Sequence, residues 1–336
     1  MKIAIHHTEG SFSDRWIEYC RKQDIPYKIV DAYDTDIVEQ VRDCDIFMWH
    51  HSHGNYKDVL FAKQLLYSLQ KSGKKVFPDF DTTWHFDDKV GQKYLLEALG
   101  VPMVPSYVFY TKKEASDWAA GTTFPKVFKL RGGAGASNVK LIRSASDAKK
   151  VINKAFGRGF SQFDGFGYFK DRLRKWLNGR DTLTGVCKGF GRLFIPTQFA
   201  KMHPREKGYA YFQDFIPDND FDIRVIVIGD KAFSIKRMCR EGDFRASGSG
   251  RLVYDKSSLD ENCVKTAFDV DKKLNSQCTA FDFVFSDGKP LIVEISYGFA
   301  MHGYDLCPGY WTSDMNWHDG TFFPQYWMVE NILNTI

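Results

Sequence analysis

Ala280-Phe-Asp-Phe-Val-Phe-Ser-Asp-Gly-Lys-Pro-Leu-Ile-Val-Glu-Ile-Ser296 holds two alternating runs on either side of a Ser-Asp-Gly-Lys turn, the pattern of a β-hairpin. A three-residue loop, Asp287-Gly288-Lys289, sets Ser286 opposite Pro290 and, counting back, Asp282 opposite Glu294. With a side-chain period of two, Phe281, Phe283, Phe285, Leu291, Val293 and Ile295 form one apolar face. Asp282, Glu294 and Ser296 share the other with Val284 and Ile292. Carboxylates opposed across a hairpin lie roughly 5 Å apart at Cβ and repel unless something positive sits between them. A hard cation meets that need. Mg²⁺ takes few carboxylates and keeps room for water and phosphate oxygens, which suits two acids and a hydroxyl. A solvated face carrying unrelated acids is the other reading, and spacing alone leaves both open.

Around this hairpin lie 336 residues, enough for two or three lobes and a sizeable core. The net charge of +4 is too small to imply nucleic-acid binding by itself. Seven cysteines, an odd number without a CxxC pair, fit buried thiols in a reducing compartment, so a cytoplasmic location is expected. Met1 to His6 already reads as a strand and no run of 18 apolar residues occurs, so neither a signal peptide nor a membrane span is expected.

Upstream, strands at 2–6, 27–30, 45–50 and 75–77 alternate with helical patterns, which predicts a doubly wound parallel α/β sheet. Ligands of such sheets gather beyond the carboxyl ends of the strands. His6, His7, His50, His51, His53 and His85 fall at those ends, as a substrate mouth would place them. A histidine metal site competes with this reading but lacks cysteine partners and HxxxH spacing, and ordinary loop histidines are the third reading.

Residues 88–100 read as a helix with a glycine stop. Then Phe124-Pro-Lys-Val-Phe-Lys129 leads into a glycine-rich loop (131–138) and a further strand. Amides freed of side chains can approach phosphate oxygens, and Lys129 delivers a charge to them; no GxxxxGK[ST] is present, so this is not a P-loop. Residues 158–210 carry eleven Lys or Arg against four acids. Within them Tyr168–Asn178 reads as a basic amphipathic helix, set either on its own domain or on an anionic surface. Strands at 211–216, 221–229 and 231–238 are expected to join the hairpin in an antiparallel sheet, and Pro324 to Ile336 reads as a closing helix.

The order Asp88-Lys89, Lys129 with its glycine loop, Gln213-Asp214-Phe215-Ile216, Asp222-Ile223-Arg224, Arg237, Glu241-Gly-Asp-Phe-Arg245, Asp282 and Glu294-Ile-Ser296 resembles the ATP-grasp superfamily. The likeness is greatest to the glutamate ligases that modify ribosomal protein S6. It implies an N-terminal doubly wound α/β domain (1–86), a central lobe with glycine loop and basic insertion (87–210) and a C-terminal antiparallel lobe (211–336). The two α+β lobes would enclose the nucleotide. It further implies that Lys89, Lys129, Gly132, Gly133 and Gly135 contact ATP phosphates, with Gln213, Asp214 and Phe215 at the adenine hinge and Asp222 on the ribose. Arg237 and Arg245 would face the triphosphate and reacting carboxylate, with Ala246 and Ser247 beside them. Asp282, Glu294 and Ser296 would hold one or two Mg²⁺, or Mn²⁺. Asp214 stands where the relatives usually have Glu, and Ser296 where they have Asn.

What the resemblance implies for activity is ATP-dependent carboxylate–amine, or carboxylate–thiol, ligation through an acyl phosphate. Small-molecule acids and amines are the expected substrates, with sugar acids, other saccharides, amino acids and peptides among them. A polyol or sugar kinase and a non-catalytic ATP-binding module are the alternatives. The insertion 158–210 would dock an anionic partner or membrane surface, nucleic acid is not expected, and homo-oligomerisation stays open. The acceptor pocket is expected between the histidine-bearing strand ends and the tail 297–323, including His302 and His318, unless Trp311, Trp317 and Phe322 simply pack the lobe boundary.

Overall fold

The computed structural model describes residues 1–133, 138–162, 165–177, 179, 181–195, 201–240 and 242–334. From the N-terminus come β1 (Ile3–His6), α1 (Phe12–Lys22), β2 (Tyr27–Val30), α2 (Ile37–Gln40), β3 (Ile46–Trp49), α3 (Tyr56–Lys71), β4 (Lys75–Phe77), α4 (Phe80–Thr83) and α5 (Lys89–Ala98). Next are β5 (Ser106–Phe109), α6 (Lys112–Gly121), β6 (Lys126–Lys129), β7 (Lys140–Ile142), α7 (Ala145–Ala155), α8 (Gly165–Leu177), α9 (Leu183–Phe194) and β8 (Ala210–Asp214). Then follow β9 (Phe221–Ile228), β10 (Lys231–Met238), β11 (Leu252–Val253), α10 (Glu261–Leu274), β12 (Thr279–Ser286), β13 (Lys289–Ser296), β14 (Gly309–Thr312), β15 (Trp317–Asp319) and α11 (Pro324–Asn334). They form two compact units: Met1–Phe86, Tyr94–Met103 and Ile216–Ile336 in the first, Asp87–Lys93 and Val104–Phe215 in the second.

In the first unit β1 to β4 pair in parallel in the order β2-β1-β3-β4, as the alternation of strands and helices predicts. Ser11 and Asn55 cap α1 and α3 by accepting from the amides of Ser13 and Lys57. A second, antiparallel sheet runs β13-β12-β9-β10-β14-β15, with β11 added to β10. Ile3, Ile5, Trp16 and Phe77 share one apolar cluster with Ile226, Phe233 and Trp327, so the N-terminal sheet and the antiparallel sheet share a core. On a separate core, α10 lays Val264, Ala267 and Val270 against Val225, Val227, Phe281 and Phe283.

The hairpin β12–β13 pairs Asp282 with Glu294, as expected, but by another route. Its loop is two residues long, with Ser286 opposite Lys289 and both Asp287 (φ 49°) and Gly288 (φ 74°) in the left-handed region that a tight type I′ turn requires. Alone, this turn would set Asp282 opposite Val293. A bulge between Asp282 and Phe283 inserts Val293 and restores the Glu294 pairing. The insertion also exchanges faces: Ile292, expected beside the acids, is buried opposite Phe283 in the core.

In the second unit the sheet order is β5-β8-β6-β7, all antiparallel. The strand at 210–214, expected to join the C-terminal sheet, pairs instead with β5 and β6. Ala115, Ala119, Val151 and Ile152 of α6 and α7 cover Phe128 and Phe212. The basic insertion contributes α8 and α9, packed on each other. Among the described residues no helix is long and apolar enough to cross a membrane. All seven cysteines are free, five of them buried.

Candidate active site

Three neighbouring strands of the first unit put opposite charges on facing positions. Antiparallel register sets Asp222 of β9 against Arg237 of β10, and Arg224 of β9 against Asp282 of β12. The pairs are bidentate: Arg237 Nε and Nη2 donate to the Asp222 oxygens at 2.6 Å each, and Arg224 Nε and Nη2 to those of Asp282 at 2.5 and 2.7 Å. Arg237 Nη2 also stands 2.9 Å from Asp282 Oδ2, joining the pairs into one lattice of two anions and two cations. Burial alone would raise Asp282, but Arg224 and Arg237 hold its carboxyl well below the usual range. Asp222, half-buried and sharing its guanidinium with Asp282, is pushed up by desolvation. Tyr304 is buried beside Arg224.

Glu294 completes the patch from β13. In the register Glu294 stands opposite Asp282 and brings a further carboxylate to the lattice. The Ser296 hydroxyl is turned to its own chain, donating to Gly298 O (3.0 Å) and accepting from Gly298 N (3.1 Å). Arg245 is clamped by Asp243, Nε donating at 2.9 and 3.0 Å and Nη2 at 2.5 Å. Ala246 is buried, and the Ser247 carbonyl accepts from Arg240 Nη2 at 2.8 Å. A cavity of about 670 Å³ opens where this loop leaves β10, lined by Asp218, Asp220, Asp243, Arg240, Arg251 and Cys239 among others.

In the second unit Lys129 is buried at the end of β6 and donates to Gln213 Oε1 at 2.6 Å; Gln213 Nε2 reaches Ser106 Oγ at 3.1 Å. Three residues earlier on β6, Lys126 donates to Asp214 Oδ1 at 2.6 Å. The start of the glycine loop is strapped to the segment before α5: Lys89 Nζ donates to Gly133 O (2.9 Å), Gly133 N to Asp87 Oδ1 (2.8 Å) and Lys89 N to Arg131 O (2.9 Å). Gly133 has φ 107°, and a Cβ at Gly132 would stand 3.2 Å from Asp87 Oδ2, so both positions favour glycine. Phe215 follows β8 as the last residue of this unit. Gly135 and Glu241 lie outside the described residues.

Arg224 and Lys126 were not singled out from sequence. The alternation Asp222-x-Arg224 and the spacing Lys126-x-x-Lys129 are visible there, but their partners Asp282 and Asp214 lie 58 and 88 positions away.

The histidine mouth forms only in part: His6 and His7 line a cavity of about 480 Å³ beyond β1 and β2 with Asp31, Tyr33 and Gln40, but the side chains behind it are held in packing roles. His6 Nδ1 accepts from Ala32 N at 2.9 Å, His50 stacks on Phe12 with ring centroids 3.7 Å apart, and His51 bonds Thr83 at 2.6 Å. Burial lowers all three, His50 to about 3, and His85 to about 4, so they are neutral packing residues. His318 sits on the exposed hairpin β14–β15, stacked on Tyr310, while His302 pairs with Asp305 at 3.0 Å. Trp311 and Phe322 are buried in the cores. The tail is tied to the N-terminal sheet by structural contacts, Tyr297 OH to His51 O and Arg15 to Asp305 at 2.7 and 2.8 Å.

Among the described residues no three His, Cys, Asp or Glu side chains gather as metal donors. The two opposed carboxylates Asp282 and Glu294 are nevertheless hard oxygen donors of the kind Mg²⁺ takes. Their chemistry fits a cation that also meets phosphate.

The model of the RimK-like ATP-grasp domain matches residues 206–305. No curated protein matches the chain by sequence. N5-carboxyaminoimidazole ribonucleotide synthetase from Thermotoga maritima superposes with TM-score 0.62 at 14% identity, over 99% of this chain and 76% of that one. D-cycloserine synthetase DcsG gives 0.58 at 15% identity, over 99% and 100%. D-alanine–D-alanine ligase from Bacillus anthracis gives 0.56 at 16%, over 99% and 97%. These likenesses establish the fold, which is that of the ATP-grasp proteins.

Proposed function

We propose, from an ATP-grasp fold that carries an opposed Asp282–Glu294 pair, that the protein is an ADP-forming ligase joining a small carboxylate to an amine. The observation that carries this reading is the pairing of those acids, at the end of the ionic lattice and inside the span 206–305 that matches the RimK-like domain. Ligation is also what the name of the D-alanine–D-alanine ligase states for that neighbour.

Each unit has its assigned part. In the second unit, Lys89 and Lys129 are assigned to the nucleotide phosphates, the backbone of Asp214 and Phe215 to adenine, and Gly132 and Gly133 to close backbone approach. In the first, Asp222 is assigned to the ribose and Asp282 and Glu294 to Mg²⁺, which when bound supplies charge neutralisation at phosphoryl oxygens. For Asp222 and Asp282 to take these roles, their guanidinium partners must be shared or released. Arg237 would then be free to carry its charge to the reacting phosphoryl group, where preset cations act on developing charge. Ser296, committed to Gly298, is assigned no metal. The cavity of about 670 Å³ offers Asp and Arg together, which suits substrates bearing both a carboxylate and an amine. The insertion is assigned an anionic partner.

ADP release from Mg-ATP, screened over crossed panels of acids and amines, tests the reading. A pair that gives amide, ADP and phosphate supports it. Phosphate esters formed from polyols alone, with no acid–amine pair active, would overturn it in favour of a kinase.

A further inference from the structure

We propose that the helical pair α8–α9 is a docking surface for an anionic lipid bilayer. The seam between the two helices sets glycines of α9 against Arg172 and Phe169 of α8. Gly185 and Gly189, one turn apart on the buried side of α9, face α8: a Cβ at Gly189 would stand 3.4 Å from Arg172 Cβ and Phe169 Cα, and one at Gly185 2.7 Å from Arg172 Nη1. Arg172 Nη1 closes the hairpin on Asp181, at 3.0 Å from each oxygen. With glycines in the seam, large apolar side chains are left exposed, even where the Phe190 ring meets Phe169 with centroids 5.8 Å apart. Phe166 is 60% exposed, Leu177 70%, Leu183 60%, Phe190 54% and Ile195 62%, with Trp176 at 39%. A pair meant to pack on its own domain would bury these residues and expose the small ones.

The exterior is also basic. Lys170, Lys188 and Arg192 are exposed, in a stretch (165–194) whose sequence holds seven Lys or Arg against two Asp. On α9 the exposed positions Leu183, Cys187 and Phe190 repeat at helical spacing beside a second row, Thr184, Lys188 and Arg192. On α8 the Lys170 ammonium lies 5.0 Å over the Phe166 ring. Arg174 and Lys175 of the amphipathic rim lie outside the described side chains.

Aromatic and leucine side chains interleaved with long cations suit a bilayer interface, where rings and methyls enter the acyl boundary and the cations meet phosphate. At 13 and 12 residues the helices are too short to span, since spanning takes about 20. A second copy seated on this face would oppose one strongly basic surface to another. The argument does not depend on the ligase reading and stands if that reading fails.

The test is co-sedimentation of the full chain with vesicles of phosphatidylcholine alone and of equal parts phosphatidylcholine and phosphatidylglycerol. Binding to the anionic vesicles only, weakening as salt rises, is expected. The double variant Lys188→Gln/Arg192→Gln should weaken it roughly 30-fold at low salt, from two lost cations. Leu177→Asp/Leu183→Asp should abolish it while ATP affinity and thermal unfolding stay as in wild type. Absence of binding to anionic vesicles at low salt overturns the proposal, as does binding that neither variant changes. So does self-association in solution that Leu177→Asp/Leu183→Asp dissolves, which would give the face to a second copy.

Discussion

In the strand hairpin β12–β13 the charged group is inside, Asp282 held by Arg224 and Arg237, while Phe281, Phe283 and Ile292 fill the core behind it. In the helical hairpin α8–α9 the inside is glycine, and Phe166, Leu177 and Leu183 stand in solvent. Strand register sets Asp282 against Arg224 of β9, and the Asp222–Arg237 pairing of β9 with β10 brings a second guanidinium to it. The helices meet where the glycines of α9 face Arg172 and Phe169 of α8, joined by the Arg172–Asp181 pair and a Phe169–Phe190 ring contact. A site for chemistry and a site for association thus follow from what each seam is made of.

The most damaging way to break this contrast is Asp282→Asn. Two guanidiniums, Arg237 buried and Arg224 half-buried, would face a neutral amide, and removing one member of a buried ionic group costs about 3–5 kcal/mol. Denaturant unfolding should show a loss of that size along with loss of ATP turnover. Wild-type stability in this variant would mean that the lattice contributes nothing to the fold.

Next comes Asp271, a buried acid in the same unit that has no such partners. Burial pushes it up to about 7 from an ordinary 3.8. The folded chain therefore keeps a proton that the unfolded chain releases between about pH 4 and pH 7. The stability linked to this group is present below that window and is lost as pH rises through it. Asp282, shifted downward by its arginines, has the opposite sign and loses its contribution as pH falls. At 1.36 kcal/mol per unit the Asp271 window holds at most about 4 kcal/mol. Asp271→Asn should remove this decline, so its stability relative to wild type should grow between about pH 4 and pH 7. A difference independent of pH would sink the assignment.

The Asp282–Glu294 pairing could be read from alternation and one turn because both strands are local, and two departures cancelled: the loop is one residue shorter than expected and Val293 bulges. Arg224 was opaque since its partner depends on the β9–β12 register, which no local pattern encodes. Histidines at strand ends looked functional because sequence shows position without burial. His50 and His51 turned out to fill space. The parallel sheet was legible from its alternating elements, whereas the placement of β8 was not, because a strand buried on both faces, as β8 is between β5 and β6, does not say which sheet it joins.

The helical seam predicts a size threshold. A methyl at Gly189 would meet Arg172 and Phe169 at ordinary contact distance, so Gly189→Ala should be tolerated. Gly189→Leu must push the helices apart, at about 1–3 kcal/mol for overpacking. Amide hydrogen exchange in α8 and α9 should quicken in the leucine variant and not in the alanine one, with β12 and β13 unchanged. Equal exchange in both would show that the seam is not close-packed.

The smallest effect belongs to Ser296, and it separates a metal-ligand position from a turn. Its hydroxyl bridges Gly298 O and N, so the strand end is closed by a local ring of two hydrogen bonds. Removing the hydroxyl leaves backbone groups that water can reach, because Ser296 is only half-buried, and the loss should be about 0.5–1.5 kcal/mol. The same commitment means that Ser296→Ala should keep ATP turnover close to wild type. Glu294→Gln, two residues earlier, should abolish turnover, since it removes one carboxylate of the pair opposed to Asp282. Metal dependence measured for both variants checks this. A Ser296→Ala enzyme needing far more Mg²⁺ than wild type, with its fold intact, would return the hydroxyl to the metal and make the Gly298 ring a resting arrangement only.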